Sequence, residues 1–600
     1  MAPAPFEDYL AFRRFFPVAE LTADGDRVLF VSNRSGQFNL WSVAASGGEP
    51  QQLTDFPDNS VRAVALRDDG TILFQADHDG DEFHQLYRIA ASGGEAEQLT
   101  DLPQVQHSIG GAAWSPDGKS FAFSANSRKP TDGEVFVWRE GDPEPRYLFG
   151  EGKYTFPITW SPDGTSLLVA EFRSNTDVSL WTVDVETADA VERTPHEGDV
   201  KYFPGPWKAD GSGFFVLSDE GREFTGLAFK PLERPLEWVE TPEHEIEELS
   251  GSGDGRILAW IENDDGWARV HVRDVERGVD LPDPKLPHGT ISYFGSGLSL
   301  SRDGSRLAII WEQPTRPGEI YVVDTATGDA RIVTESREAP LLPIEMRLPE
   351  LIRYESFDGR QIPAWLYRPD DDAPAPFAVA IHGGPESQEK PMYRAYVQYL
   401  LSRGIGVLAT NIRGSTGYGK TYQKLIHHDW GGGDLEDWRH AAEWLKAQPF
   451  VDGDRLAVFG GSYGGFATLT CVTRLPEYWR AAVDIFGPSN LLTFVRAVPP
   501  QWLRFMAEWV GDPDTETEFL RERSPITYVD QVRAAMLVIQ GAKDPRVVQS
   551  ESDQMVERLR ELGREVEYVV FEDEGHGFTR YANEVRAYRL TCEWLESHLS

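Results

Sequence analysis

Six hundred residues exceed what one hydrophobic core can organise, so at least two domains are expected. A composition of 40% hydrophobic and 12% aromatic residues is that of a globular chain, and a formal net charge of −39 offers no basic surplus to neutralise nucleic-acid phosphates. Two cysteines, Cys471 and Cys592, are too few for a disulfide scaffold, the acidic start around Glu7 and Asp8 does not read as a signal peptide, and no run nears the ~20 apolar residues of a bilayer span, so a cytoplasmic protein without membrane or nucleic-acid partners is expected.

The first half repeats itself. An Asp-Gly pair followed by an apolar strand recurs at Asp24-Gly25, Asp69-Gly70, Asp117-Gly118, Asp163-Gly164, Asp210-Gly211, Asp254-Gly255 and Asp303-Gly304, at spacings of 45, 48, 46, 47, 44 and 49 residues. Asp-Gly suits a tight hairpin because glycine accepts positive φ without a Cβ penalty. A second β-rich run follows in each unit, as in Leu40–Val43, Leu180–Val183 and Ile320–Val323. A period near 45 residues with several short strands per unit predicts four-stranded propeller blades, and seven copies predict seven of them. Such a ring binds, gates or scaffolds, and by itself names no activity.

After about Thr334 the pattern changes. A Pro-rich joint, 339–343, leads to a hairpin-like stretch from Tyr354 to Tyr367, and then short apolar runs alternate with helical ones: Phe377–Ile381, Gly406–Ala409, Leu456–Phe459, Ala482–Ile485, Met536–Ile539 and Val566–Val570. This predicts a mostly parallel sheet with helices on both faces.

Gly460-Gly461-Ser462-Tyr463-Gly464 follows one of these strands and enters a helix, the setting of a nucleophile elbow. Asp544 follows the strand ending at Ile539, and His576 follows the next strand, between Gly575 and Gly577. The order Ser, Asp, His, with the last two at successive strand ends, is that of an α/β-hydrolase. In that arrangement His576 would take the Ser462 proton and return it to the leaving group, and Asp544 would fix the imidazole tautomer. His382-Gly383-Gly384-Pro385, ending another strand, could supply one backbone N–H of an oxyanion hole, with that of Tyr463 as the other; His382 itself reads as structural. The acids Glu572, Asp573 and Glu574 beside His576 are expected to face solvent.

With these residues in place, the chain resembles the prolyl oligopeptidase family of serine peptidases over essentially its whole length. His382–Pro385, Asn411–Gly419, Trp430–Gly432, Gly460–Gly465 and Asp573–Phe578 look most like the acylaminoacyl-peptidase branch. The resemblance implies a Ser462, Asp544, His576 triad and an oxyanion hole from Gly384 and Tyr463. It also implies a propeller that admits only short peptides, and removal of N-acylated residues from peptide ends. It further implies that an N-terminal segment, 1–20, packs back on the hydrolase domain, leaving 21–335 as the propeller and 336–600 as the peptidase domain. Residues 1–335 show no match to the paired glutamates with which dipeptidyl-peptidase relatives hold a free N-terminus.

An aromatic-rich stretch from Phe494 to Trp509, with Phe494 and Trp502, could line an apolar pocket. Arg413, Arg496, Arg504 and Arg546 are candidates to grip a peptide carboxylate. No metal-binding motif occurs among the 13 histidines, so no metal or cofactor is expected. Short peptides are the expected partners, and self-association is left open. An oligopeptidase or exopeptidase of other end specificity (carboxypeptidase included), an esterase on the same triad and a scaffold with a relic hydrolase are the alternatives; the cap argues against the esterase and the complete set of motifs against the scaffold.

Overall fold

The structure, a computed structural model, describes residues 4–292, 295–337, 346–369 and 373–600. The Pro-rich joint at 339–343 lies outside them. Seven four-stranded antiparallel sheets follow one another, from Phe15–Leu21 in the first blade to Ala330–Ile332 in the last. The repeat has a local cause. Ser115 Oγ donates to Asp117 at 2.7 Å, and the same Asp117 oxygen accepts the Lys119 N–H at 3.1 Å, around Gly118 at φ +67°. Ser161 with Asp163, Ser252 with Asp254 and Ser301 with Asp303 repeat that arrangement. Each Asp-Gly turn is therefore a hydrogen-bonded clamp as well as a backbone preference. The second strand of a blade is buried on both faces between neighbours, which explains continuous apolar runs such as Arg27–Ser32. Ala19, Leu21 and Phe30 of the first blade pack with Ala308, Ile310 and Ile320 of the seventh and close the ring.

The propeller starts earlier than residue 21. Phe15–Leu21 pairs with Arg27–Ser32 as the innermost strand of the first blade, so only the residues before it belong with the hydrolase domain. There Phe6, Tyr9, Leu10 and Phe12 join the hydrolase core, with Tyr9 edge-on to Tyr399 at 5.7 Å. The Asp-Gly signal marks the end of the innermost strand, and proline and phenylalanine at its start gave no turn to read.

The C-terminal half is one eight-stranded sheet: β1 (Glu350–Glu355), β2 (Gln361–Tyr367), β3 (Ala375–Ile381), β4 (Gly406–Thr410), β5 (Val451–Gly461), β6 (Trp479–Ile485), β7 (Ala535–Gly541) and β8 (Val566–Phe571). Their order is β1-β2-β4-β3-β5-β6-β7-β8, antiparallel at the first hairpin and parallel from β4 onward. Side chains alternate between its faces. Phe377, Val379, Leu456 and Val458 belong to one core cluster; Ala378, Ala457, Phe459, Leu537 and Ile539 belong to the other, under the terminal helix Tyr581–Leu599. Both faces are covered, which places the loops at the carboxyl ends of β3, β5, β7 and β8 together at one edge, facing the propeller.

Cys471 and Cys592 are buried and unpaired. Among the described residues no helix is long and apolar enough to cross a membrane.

Candidate active site

Ser462 joins β5 to the helix α2 (Tyr463–Arg474) with φ 60° and ψ −123°, a strained conformation for a residue with a side chain. The bend is tight enough that a Cβ on Gly464 would strike the carbonyl of Ile381, and one on Gly465 would strike Asp484 and Gly487. The glycines are thus required by the approach of α2 to β3 and β6.

Ser462 Oγ lies 2.9 Å from His576 Nε2, and His576 Nδ1 lies 2.6 Å from Asp544 Oδ2. The second Asp544 oxygen accepts the N–H groups of Arg546 and Val547, each at 2.9 Å. Asp544 is therefore held by the turn behind it, and its side chain is fully buried. Tyr463 is the first residue of α2, so its N–H has no partner within the helix. Its phenol donates to Asp434 Oδ2 at 2.6 Å, and Trp430 packs edge-on against its ring at 4.8 Å. Asp434 lies in the first turn of the helix α1 (Gly433–Lys446); burial pushes its carboxyl up to about 6, against the lowering effect of the Tyr463 hydrogen bond. Gly383 comes close to Ser462: a Cβ there would lie 3.4 Å from that of the serine. Gly384, at φ +126°, precedes a cis bond to Pro385. Glu386 follows and accepts hydrogen bonds from Gln423 at 2.9 Å and from His427 Nε2 at 2.8 Å, besides one from Asn175 of the propeller. His382 has structural contacts, its ring meeting Gly383 O at 2.8 Å and Ser415 Oγ at 2.9 Å.

The candidate arginines disperse. Arg413 is buried and meets both oxygens of Asp437, at 2.9 and 2.7 Å. Arg496 is exposed beside Asp514 at 3.3 Å. Arg504 bonds Asp132 of the propeller at 2.9 Å. Arg546 alone borders Asp544; it pairs with Glu82 of the propeller at 2.8 Å and lies over the Trp502 ring at 5.4 Å. Phe494, in the helix α3 (Leu491–Ala497), is buried and stacks near Trp430 at 6.1 Å. The aromatic stretch ends in α4 (Leu503–Trp509), whose Phe505 meets propeller Tyr154 edge-on at 5.8 Å.

One expectation fails. Glu574 is buried, not solvent-facing: it accepts from the Thr579 N–H at 2.8 Å, the Thr579 hydroxyl at 2.9 Å and the Arg580 N–H at 3.0 Å. It braces the loop of His576 from inside, because a loop that turns back on itself needs an acceptor for its own N–H groups.

Sequence reasoning also missed the propeller's share of the site. The loop of Asp79 and Glu82, both at positive φ, reaches the two loops that carry Asp544 and His576. Asp79 pairs with Lys543 and Arg580, and Glu82 with Arg546. Elsewhere Glu247 meets Lys390 at 2.7 Å and Asp265 meets Arg353 at 2.8 Å, again with the acid on the propeller and the base on the hydrolase domain. Part of the chain's acidity is thus spent on this interface. Among the described residues no cluster of three metal-ligating side chains occurs.

Residues 391–600 match the prolyl oligopeptidase family, and residues 17–202 match the TolB β-propeller domain. Residues 391–600 are thus a serine peptidase domain of the prolyl oligopeptidase family, carried behind a propeller. It is 29% identical to dipeptidyl aminopeptidase BIII of Pseudoxanthomonas mexicana over 93% of its own length and 76% of that protein's. With the acylamino-acid-releasing enzyme of Homo sapiens it shares 26% identity over 42% of its own length and 35% of the other. A puromycin-hydrolysing peptidase of Mycobacterium tuberculosis superimposes with a TM-score of 0.86 at 22% identity, covering 100% of this peptidase and 97% of that chain. Acylaminoacyl peptidase of Pyrococcus horikoshii does so with a TM-score of 0.74 at 18% identity, covering 100% and 98%. At those identities the structural likeness is one of fold.

Proposed function

We propose that this peptidase cleaves short peptides through an acyl-enzyme at Ser462. His576 acts as the general base and then the general acid, Asp544 holds the imidazole tautomer, and the N–H groups of Gly384 and Tyr463 receive the oxyanion. The observation that carries this reading is the pair of hydrogen bonds, 2.9 Å from Ser462 to His576 and 2.6 Å from His576 to Asp544, on loops that meet the propeller. The enzyme works from the N-terminal end of its substrates and releases N-acylated residues. Support comes from the four arginines, each already facing a carboxylate (Asp437, Asp514, Asp132 or Glu82), which leaves none of them unneutralised for a C-terminal carboxylate. A blocked N-terminus needs no buried counter-ion, whereas a buried ammonium without one is costly.

A second reading, release of dipeptides from a free N-terminus, is favoured by Glu82, a propeller carboxylate carried beside the Asp544 loop at φ +61°. The relative that this chain matches over most of its length is named a dipeptidyl aminopeptidase. Digestion of matched peptides with acetylated, free and C-terminally amidated ends, read by mass spectrometry with Ser462→Ala as control, tests both. Acetylated residues released first support the acyl reading; dipeptides from free ends alone support the second. Loss of activity on C-terminal amidation would overturn both.

A further inference from the structure

The turn after β6 holds a residue that sequence reasoning passed over. Phe486 has φ +44°, a left-handed conformation in which a bulky L side chain is a steric outlier. Its surroundings impose it. Asp484 Oδ1 accepts the Gly487 N–H at 2.9 Å and closes the turn around it. Ser462 N–H donates to Ile485 O at 2.9 Å on one side, and Phe486 N–H donates to Ile539 O at 2.7 Å on the other. The turn is thereby tied both to the elbow and to β7, the strand that leads to Asp544. Glycine would adopt this φ without strain, whereas phenylalanine holds it at a backbone cost. The ring lies 4.7 Å from the His576 imidazole at 50° and 6.0 Å from Phe578, beyond the same loop.

His576 needs such a support. Its hydrogen bonds leave from Nδ1 and Nε2, close to the plane of the ring, and together define an axis about which the imidazole can still rock. Beyond the side-chain torsions, packing against a face opposes that motion. The backbone does not supply it, since His576 stands between two glycines and Gly577 is at φ +138°.

We propose that Phe486 is a positioning residue for the peptidase reaction: its ring backs one face of the His576 imidazole and holds the orientation in which Nδ1 meets Asp544 while Nε2 meets Ser462. The inference rests on the triad proposed above. A base that takes a proton from the serine and passes it to the leaving group tolerates an error of only ~10–20°. The strained turn is what aims the ring.

The test compares Phe486→Ala, Phe486→Gly and Phe486→Leu by kcat, KM, melting temperature and the rate at which an organophosphonate labels Ser462. Removing the ring lowers kcat by ~10–100-fold and slows labelling equally, with KM changed less than ~2-fold. Glycine relieves the φ, so its variant melts no lower than the alanine one yet is as slow. Leucine, which restores apolar bulk, recovers most of the rate. Wild-type kcat in the glycine or alanine variant, a loss confined to KM, a leucine variant no faster than alanine, or activities that follow melting temperature across the series would each overturn the proposal. Ser462→Ala separates the two readings. Turnover surviving there removes the triad itself, whereas an inert Ser462→Ala beside fully active Phe486 variants removes this inference alone.

Discussion

Gly575, the residue before His576, meets Gly80 of the propeller backbone to backbone. A Cβ added at Gly575 would fall well inside van der Waals contact with the Gly80 carbonyl oxygen. The loop that presents His576 is therefore shaped against the propeller, not only against its own domain. Gly575→Ala should push the two apart. Because displacing a catalytic group by ~1 Å can cost ~10²-fold in rate, kcat/KM should fall by ~10–100-fold. The melting temperature should change little if the domains part instead of unfolding. Steady-state kinetics beside calorimetry checks both.

Asp79 extends the same relationship into charge. It pairs with Lys543, next to Asp544, and with Arg580, four residues after His576. Those two cations hold its carboxyl below the ordinary range against the opposing effect of burial, so the contribution of this clasp is present at neutral pH and is lost on acidification. Asp79→Asn should lower kcat by ~10-fold and leave Lys543 and Arg580 without that carboxylate. Limited proteolysis between the domains should quicken as well. An unchanged rate with unchanged proteolysis would show that the ion pairs do not couple closure to the site.

The closed ring and the salt-bridged interface also set a size rule. On the function proposed above, a site covered by seven blades would exclude a folded polypeptide and admit extended peptides of a few to a few tens of residues. Native casein-sized proteins should survive incubation that consumes such peptides, and mass spectrometry of the digests reads this directly. Rapid degradation of a compact folded protein would contradict the cap.

Much of this was legible in the chain because the signals were local. An Asp-Gly turn recurs once in each blade with its glycine at positive φ, as at Gly118, and strand-elbow-helix around Ser462 follows from glycines that let α2 approach β3 and β6. The order Ser462, Asp544, His576 comes from strands of one parallel sheet, whose loops gather at one edge. What could not be read was whatever depends on distant segments meeting. Asp79 and Lys543 are 464 residues apart, and nothing near either predicts their pairing. Glu574 looked like a solvated acid because neighbouring acids usually are; only the closed loop reveals the N–H groups it serves. Phe486 gave no sign, since a phenylalanine at the end of a strand is ordinary until its φ is known.

Asp484 carries the last prediction, and it runs opposite to Asp79. It is fully buried beneath the elbow, accepts the Gly487 N–H, and burial pushes its carboxyl from 3.8 to about 8, with that hydrogen bond acting against the rise. An unfolded aspartate releases its proton near pH 4. Between about pH 4 and 8 the native chain keeps a proton that the unfolded chain has lost, so stability falls as pH rises through that window. The contribution is greatest below pH 4 and is lost once the folded group ionises near 8. Asp484→Asn keeps an oxygen for Gly487 and removes the titration. At pH 4 or below the variant should melt close to wild type, since the aspartate is then protonated in the folded chain and largely so in the unfolded one. At pH 8 it should melt higher, by ~2–4 °C for each kcal/mol recovered. Melting curves at the two pH values decide the matter: a gap that does not widen between them would mean that water or a counter-charge already relieves the buried carboxylate.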